Sequence, residues 1–195
     1  KEYRDSTAAV LEDISRLNQL LDRLLLMAHA SSEGAREGFR EVRIDEILWQ
    51  AREELLKHEK EYTVTVALDE NISDIENLTM RGDEQLLISA VTNVMENGCK
   101  YSPDKSVRVL LSHDADNIFV SFTDNGPGIA EDEIERVFES FYRSKATASV
   151  RGHGIGLSLA SKIIDIHNGT ITVKSGQGEG TTIRLAFPAE RSVAV

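Results

Sequence analysis

One cysteine in 195 residues, Cys99, cannot form an internal disulfide, so nothing in the sequence calls for an oxidising compartment. It falls within a helical apolar pattern, where a buried filler thiol is expected rather than a redox centre. No stretch approaches the roughly 18 to 20 apolar residues of a membrane span, and the charged, polar N-terminal residues do not resemble a secretory leader. Basic runs are also missing. Lys and Arg number 22 against 33 Asp and Glu, a formal net charge of −11, which argues against nucleic acid as a partner. A chain this acidic can handle a polyanion only locally, with a few placed donors and a metal ion. There is no G-x-x-x-x-G-K-[ST] loop, no G-x-G-x-x-G following a strand, no internal repeat and no low-complexity tract.

What remains has the balance of a soluble globular chain, 41% hydrophobic and 28% charged. Its length suits one domain with an appendage. The appendage is an expected long helix over residues 3–29. Val10, Ile14, Leu17, Leu21, Leu24 and Ala28 form a heptad seam, widened by Leu11, Leu20, Leu25 and Leu26. So wide a stripe wants several neighbours, as in a four-helix bundle, and no other segment matches it. The small and polar residues 30–38 then read as a linker. From about residue 40 helix and strand patterns mix. Ile44, Ile47, Leu48, Ala51 and Leu55 give a helical face, and Tyr62, Val64, Val66 and Leu68 alternate. A helix is expected over 83–100. Alternating strands follow around Val107–Leu111 and Ile118–Phe122, then a short helix with Ile134, Val137, Phe138 and Phe141. A helix over 155–167, stopped by Asn168-Gly169, and two final strands complete the pattern. The fold class expected is α+β, a two-layer sandwich with a mixed, largely antiparallel sheet, preceded by one long helix.

Several clusters carry possible chemistry. On the 83–100 helix, Asn93, Asn97 and Lys100 sit at i, i+4 and i+7 on one face beside the apolar stripe. Two amide oxygens and an ammonium suit a hydrated divalent cation and a phosphate chain; the same residues also suit a solvated polar face. Asp124 ends a strand and is followed by Gly126 and Gly128. A carboxylate fixed there can accept from an exocyclic amine, or simply form an Asx turn. Gly152, Gly154 and Gly156 immediately precede a helix, which makes either an anion site or a flexible turn. Residues 140–150 read as a lid beside Phe138 and Phe141, with Arg143 and Lys145 within reach of phosphates. Gly178, Gly180 and Thr181 turn tightly into the last strand.

Each cluster alone is modest, but their order is specific. An N-x-x-x-N helix, then D-x-G-x-G, F-x-x-F-Y-R, G-x-G-x-G-L and G-x-G-T closely resembles the ATP-binding domain of sensor histidine kinases. That family belongs to the superfamily shared with gyrase, the heat-shock chaperone and mismatch-repair ATPases. The resemblance spans residues 43–188. The N-terminal helix resembles the second helix of the kinase dimerisation and phosphotransfer domain.

The resemblance implies residues 1–30 as that helix, 31–42 as linker, 43–190 as catalytic ATP-binding domain and 191–195 as tail. It implies ATP and Mg²⁺ as cofactors. Asp124 would bond the adenine amine, Gly126, Gly128 and Ile129 would shape the base pocket, and Tyr101 would pack on the base. Asn93 and Asn97 would hold Mg²⁺, while Lys100 and Arg143 would neutralise phosphate charge. Asn93, Lys100 and Arg143 are thus the implied catalytic set. Phe138, Arg151, Gly152, His153, Gly154, Ile155, Gly156, Leu157 and Thr181 would complete the nucleotide site, His153 either turned to the phosphates or facing water. The implied partners are a second copy of the chain through the bundle and a response-regulator receiver domain, with no nucleic acid. The implied location is the cytoplasmic portion of a membrane-bound parent. The competing reading is an ATP-hydrolysing clamp of the same superfamily, which places a glutamate where this chain has Asn93. A pure coiled-coil module would explain residues 3–29 and nothing after them.

In the resembling family the phosphoacceptor histidine has an acidic neighbour and a nearby T-P pair. None of His29, His58, His113, His153 or His167 has both. His29 lacks an adjacent group able to take its proton. The fragment is expected to bind ATP without phosphorylating itself: γ-labelled ATP should leave no acid-labile, base-stable label. Label that disappears in His29→Ala would overturn this.

Overall fold

A computed structural model describes residues 14, 20–22, 24–28, 30, 34, 36–72, 78–144, 147, 150 and 152–190. Most of the expected N-terminal helix, with His29, Lys145, Arg151 and the 191–195 tail, lies outside the described residues. Within them Ile14, 20–22, 24–28 and Ala30 are helical. Leu20, Leu26 and Met27 pack partly against the main core and Ala30 is buried. Ile14, Leu21, Leu24 and Leu25 are 40–60% exposed, so the part of the apolar stripe described here is open on one side.

The order from residue 40 is β1 (Arg40–Arg43), α1 (Ile44–His58), β2 (Thr63–Leu68), β3 (Thr79–Gly82), α2 (Glu84–Tyr101), β4 (Ser106–His113), β5 (Asn117–Asp124), α3 (Gly156–Ile166), β6 (Thr170–Ser175) and β7 (Thr181–Pro188). Five strands form one sheet in the order β2-β4-β5-β7-β6, with only β2–β4 parallel. This is the expected two-layer α+β sandwich. Alternation places Val107, Val109 and Leu111 of β4, Ile118, Val120 and Phe122 of β5, and Ile183, Leu185 and Phe187 of β7 on the face the helices cover.

The helices form the second layer. α1 buries Ile44, Ile47, Leu48, Ala51 and Leu55, the face its periodicity predicts, and has Asp45 and Glu46 in its first turn and Lys57 and His58 in its last, matching the helix dipole. α2 lies between α1 and α3 and is buried on most of its circumference. Its start is capped by Asp83, whose carboxylate accepts from the Leu86 N–H at 3.0 Å. Cys99 is fully buried there, and burial pushes its thiol up to about 12, which makes it an inert core side chain. α3 ends as expected: Asn168 takes φ +56° and the Gly169 N–H reaches back to Ile164 O. At that end His167 is buried. Its Nδ1 donates to Ile163 O at 2.7 Å, its Nε2 accepts from the Asp83 N–H at 3.0 Å, and its ring stacks on Phe39 at 4.4 Å.

Two expectations change. The short helix over 134–141 is instead a pair of 3-10 turns, Glu131–Glu133 and Arg136–Phe138. None of Ile134, Val137, Phe138 and Phe141 is fully buried, so no apolar face packs well enough to sustain an α-helix. Strands β1 and β3, which pair antiparallel as a separate two-stranded sheet, went unrecognised, and β1 begins inside the stretch read as linker.

Gly98 lets α2 approach the sheet. A Cβ there would stand 2.6 Å from Val107 Cγ2 on β4. Gly98→Ala is therefore expected to cost about 1–3 kcal/mol by overpacking, read as a lowered denaturant midpoint at unchanged m-value. A neutral result would mean the helix layer shifts freely.

Candidate nucleotide site

The last two turns of α2, the end of β5 and the start of α3 converge on one pocket. Its lining includes Val94, Asn97, Gly98 and Tyr101 from α2, Phe122 and Asp124 from β5, and Thr181 and Ile183 from β7. Pro127, Gly128 and Ile129 follow β5. Val137 comes from the second 3-10 turn, and Tyr142, Arg143, Ser144 and Thr147 from the segment after it. Gly154 comes from the turn into α3, and Gly156 and Leu157 from the first turn of that helix. Of the site residues the resemblance implies, the structure brings together Asn97, Tyr101, Asp124, Gly128, Ile129, Arg143, Gly154, Gly156, Leu157 and Thr181.

Asp124 is buried at the end of β5, opposite Thr181 in the β5–β7 register. Its Oδ1 accepts from the Gly126 N–H at 2.7 Å. Burial pushes its carboxyl above the usual range; hydrogen bonds from the Gly126 and Thr181 N–H groups pull the other way, and the charge of Asp104 adds to the rise. Gly126 therefore acts behind the carboxylate and does not line the pocket. Gly128 has φ +75°, and a side chain on it would run into the Gly176 carbonyl of the β6–β7 turn. Ser175 secures that contact by accepting from the Ile129 N–H and donating to Gly180 O, both at 2.8 Å.

At the other end, Asn93 lies beneath the pocket rather than in it. Its Nδ2 donates to Ser89 O at 2.8 Å, which leaves Oδ1 buried without a hydrogen-bond partner. That oxygen faces Gly156, where a Cβ would come within 2.9 Å of it and within 3.6 Å of Asn97 Nδ2. A buried unpartnered carbonyl oxygen costs free energy, so Asn93 Oδ1 fits a hard cation or one of its waters, while the neighbouring α3 N-terminus suits an anion. Lys100 does not line the pocket either. Its ammonium lies 5.6 Å from the Tyr101 ring centroid and close enough to Gly152 that a side chain there would strike it. Tyr101 is half-buried, and burial raises its phenol above the ordinary value, opposed by the charge of Arg143 and the Thr147 hydroxyl.

Phe138 is half-buried, His153 is exposed, and Ile155 is buried in the core just before α3, and none of these three is part of the lining. Sequence reasoning missed as lining the apolar Val94, Phe122, Pro127, Val137 and Ile183, and the polar Tyr142, Ser144 and Thr147. Phe122 and Ile183 are cross-strand partners, so their inward alternation could have placed them on the pocket floor. Among the described residues there is no group of three or more His, Cys, Asp and Glu side chains able to hold a metal, and no helix long and apolar enough to cross a membrane.

Comparison with known proteins agrees with this geometry. Residues 82–191 match the family described as histidine kinase-, DNA gyrase B-, and HSP90-like ATPase. The chain is 33% identical over 190 residues to the sensor-like histidine kinase SenX3 of Mycobacterium bovis, covering 92% of this chain and 44% of that one. It is 30% identical over 181 residues to the heme sensor protein HssS of Staphylococcus saprophyticus, covering 91% and 37%. Among solved structures, full-length ShkA in complex with AMPPNP superposes with a TM-score of 0.76 at 25% identity, covering all of this chain and 41% of that one. The mycobacterial sensor histidine kinase MprB superposes at 0.66 with 28% identity, covering 78% and 98%. The chain belongs to this ATPase family, and the curated relatives it resembles include sensor histidine kinases. It spans between 37% and 44% of the length of the first curated relatives it matches.

Because the folded-state pKa of Asp124 is raised, its ionised form withdraws stability at neutral pH, and that loss disappears as pH falls through the raised value. Asp124→Asn should melt above the wild type at neutral pH, with the gap closing toward about pH 4, the ordinary carboxylate range. Melting scans across that range check it; a variant less stable at every pH would show that the charge is not a burden.

Proposed function

We propose that residues 43–190 bind ATP with Mg²⁺ and, in the parent protein, present the γ-phosphoryl group to a histidine of a helical dimerisation bundle. The phosphoryl group then passes to an aspartate of a response-regulator receiver domain. Residues 1–30 supply the second helix of that bundle, 31–42 the linker and 191–195 a tail, and two copies associate through the open apolar stripe. On this reading the fragment is the cytoplasmic part of a membrane-bound sensor.

The observation that carries the kinase reading over an ATP-hydrolysing clamp is the acid content of the pocket. Among the described residues, Asp124 is the only carboxylate that lines it, and it is engaged by backbone N–H groups at the strand end. Asn93 cannot take a proton from water at neutral pH, and Glu96 does not line the pocket. A site with no base beside the phosphates suits transfer to an acceptor whose own surroundings supply the base. Binding and orientation then fall to this chain's residues. Asp124 accepts from the adenine amine, and Tyr101, Val94, Ile129 and Ile183 enclose the base. Arg143, Lys100 and the α3 N-terminus hold the phosphates in line. Asn93 and Asn97 would hold Mg²⁺, whose chemistry is to neutralise phosphate charge.

Calorimetry with ATP and GTP tests the reading. ATP should bind more tightly, and Asp124→Asn should weaken ATP by about 1.5–3 kcal/mol, the range for a hydrogen bond to a charged group. Asn97→Ala should reduce binding far more with Mg²⁺ than without it. Equal affinity for the two nucleotides would remove Asp124 from its role, and an equal loss with and without metal would remove Asn97.

A further inference from the structure

Glu133 lies outside the pocket and belongs to none of the motifs that point to the nucleotide. It sits at the end of the first 3-10 turn, half-buried, and its two carboxylate oxygens are used separately. Oε1 accepts from the Tyr142 hydroxyl at 2.7 Å and Oε2 from the Ser144 hydroxyl at 2.8 Å. These two residues flank Arg143, and all three line the pocket. The chain needs such a hold here, because Phe141, just before, is 64% exposed and takes φ +67°, a conformation a bulky side chain seldom adopts. Other contacts fix the same short segment. The Phe141 N–H donates to Gly154 O at 2.8 Å, which ties it to the turn into α3. The Arg136 guanidinium lies 4.3 Å from the Tyr142 ring centroid. An Arg143 guanidinium N–H donates to Val150 O across the lid segment.

We infer that Glu133 is a positioning residue: by gripping the hydroxyls on either side of Arg143, it sets the root of the lid and holds the Arg143 guanidinium over the phosphate end of the nucleotide. Two bonds from one carboxylate fix both the place and the rotation of the intervening residue, which a single bond cannot. A carboxylate suits the task because it offers two acceptor oxygens where an amide offers one, and hydrogen bonds to an ionised acceptor are the stronger kind. Glu133 acts through Arg143 and touches no ligand. The inference rests on the reading of the pocket as a nucleotide site.

The test compares ATP and adenosine binding to the whole fragment by calorimetry or NMR titration. Glu133→Ala should weaken ATP about tenfold, the scale of losing a charge-assisted hydrogen bond, while adenosine affinity stays within about twofold. In combination with Arg143→Ala it should add little to Arg143→Ala alone. If Glu133→Ala does not fold, the double variant Tyr142→Phe/Ser144→Ala removes the same two bonds and should give the same selective loss. Equal weakening of ATP and adenosine would mark a merely structural role and overturn the inference. So would no loss at all, or a loss fully additive with Arg143→Ala. In each of those cases a wild type that still binds ATP leaves the nucleotide reading standing; a wild type that binds no adenine nucleotide removes both.

Discussion

Helix α2 and strand β4 meet at Gly98 and Val107, and much of the site follows from how close they come. With no side chain at Gly98, the helix settles onto the sheet, so that Asn97 and Tyr101 lie over the end of β5 where Asp124 emerges. The same helix is buried nearly all round by α1, α3 and the sheet. Its polar residues are therefore confined to one edge, and α3 approaches that edge closely enough for Gly156 to face Asn93. A Cβ at Gly98 would crowd Val107 and press against the contact between the two layers that carry the pocket.

The arrangement is electrostatically divided. The strand end holds one carboxylate in a place that disfavours its charge. The helix edge, the α3 N-terminus and the segment carrying Arg143 gather side-chain amides, backbone N–H groups, an ammonium and a guanidinium. A ligand with a hydrogen-bond donor at one end and negative charge at the other satisfies both. The division explains how a chain with net charge −11 accommodates a polyanion: the attraction is local and carried by a handful of placed groups.

Much of this was legible in the sequence because glycine, asparagine and aspartate mark places where backbone geometry is demanding. Asp124, Gly128, Gly154 and Gly156 announced the pocket in this way, and the periodicity of α1 gave its buried face residue for residue. What was not legible depends on partners distant in the chain. Strands β1 and β3 are four residues long and rich in charge, and they exist only because they pair with each other across some forty residues. Asn93 has the right spacing to be a surface ligand, yet α3 closes over it. Tyr142, Ser144 and Thr147 became lining residues through the fold of the lid root, and Glu133 gained its place from two hydroxyls nine and eleven residues away. No local pattern encodes such a grip.

The buried imidazole of His167 bears on the pocket from the far end of α3. Both ring nitrogens are engaged, one by α3 itself and the other by the N–H that precedes α2, while Phe39 covers the ring. Helix α3 is thus a rod of eleven residues with one end pinned against the start of α2 and the other lining the pocket. At 1.5 Å per residue the rod is roughly 16 Å long, so a tilt of about 2° at the pin carries its N-terminus about 0.6 Å. That is a large fraction of the tolerance of a hydrogen bond. A displacement at this ring, on which Phe39 before β1 stacks, would therefore be felt a full helix length away at the pocket mouth.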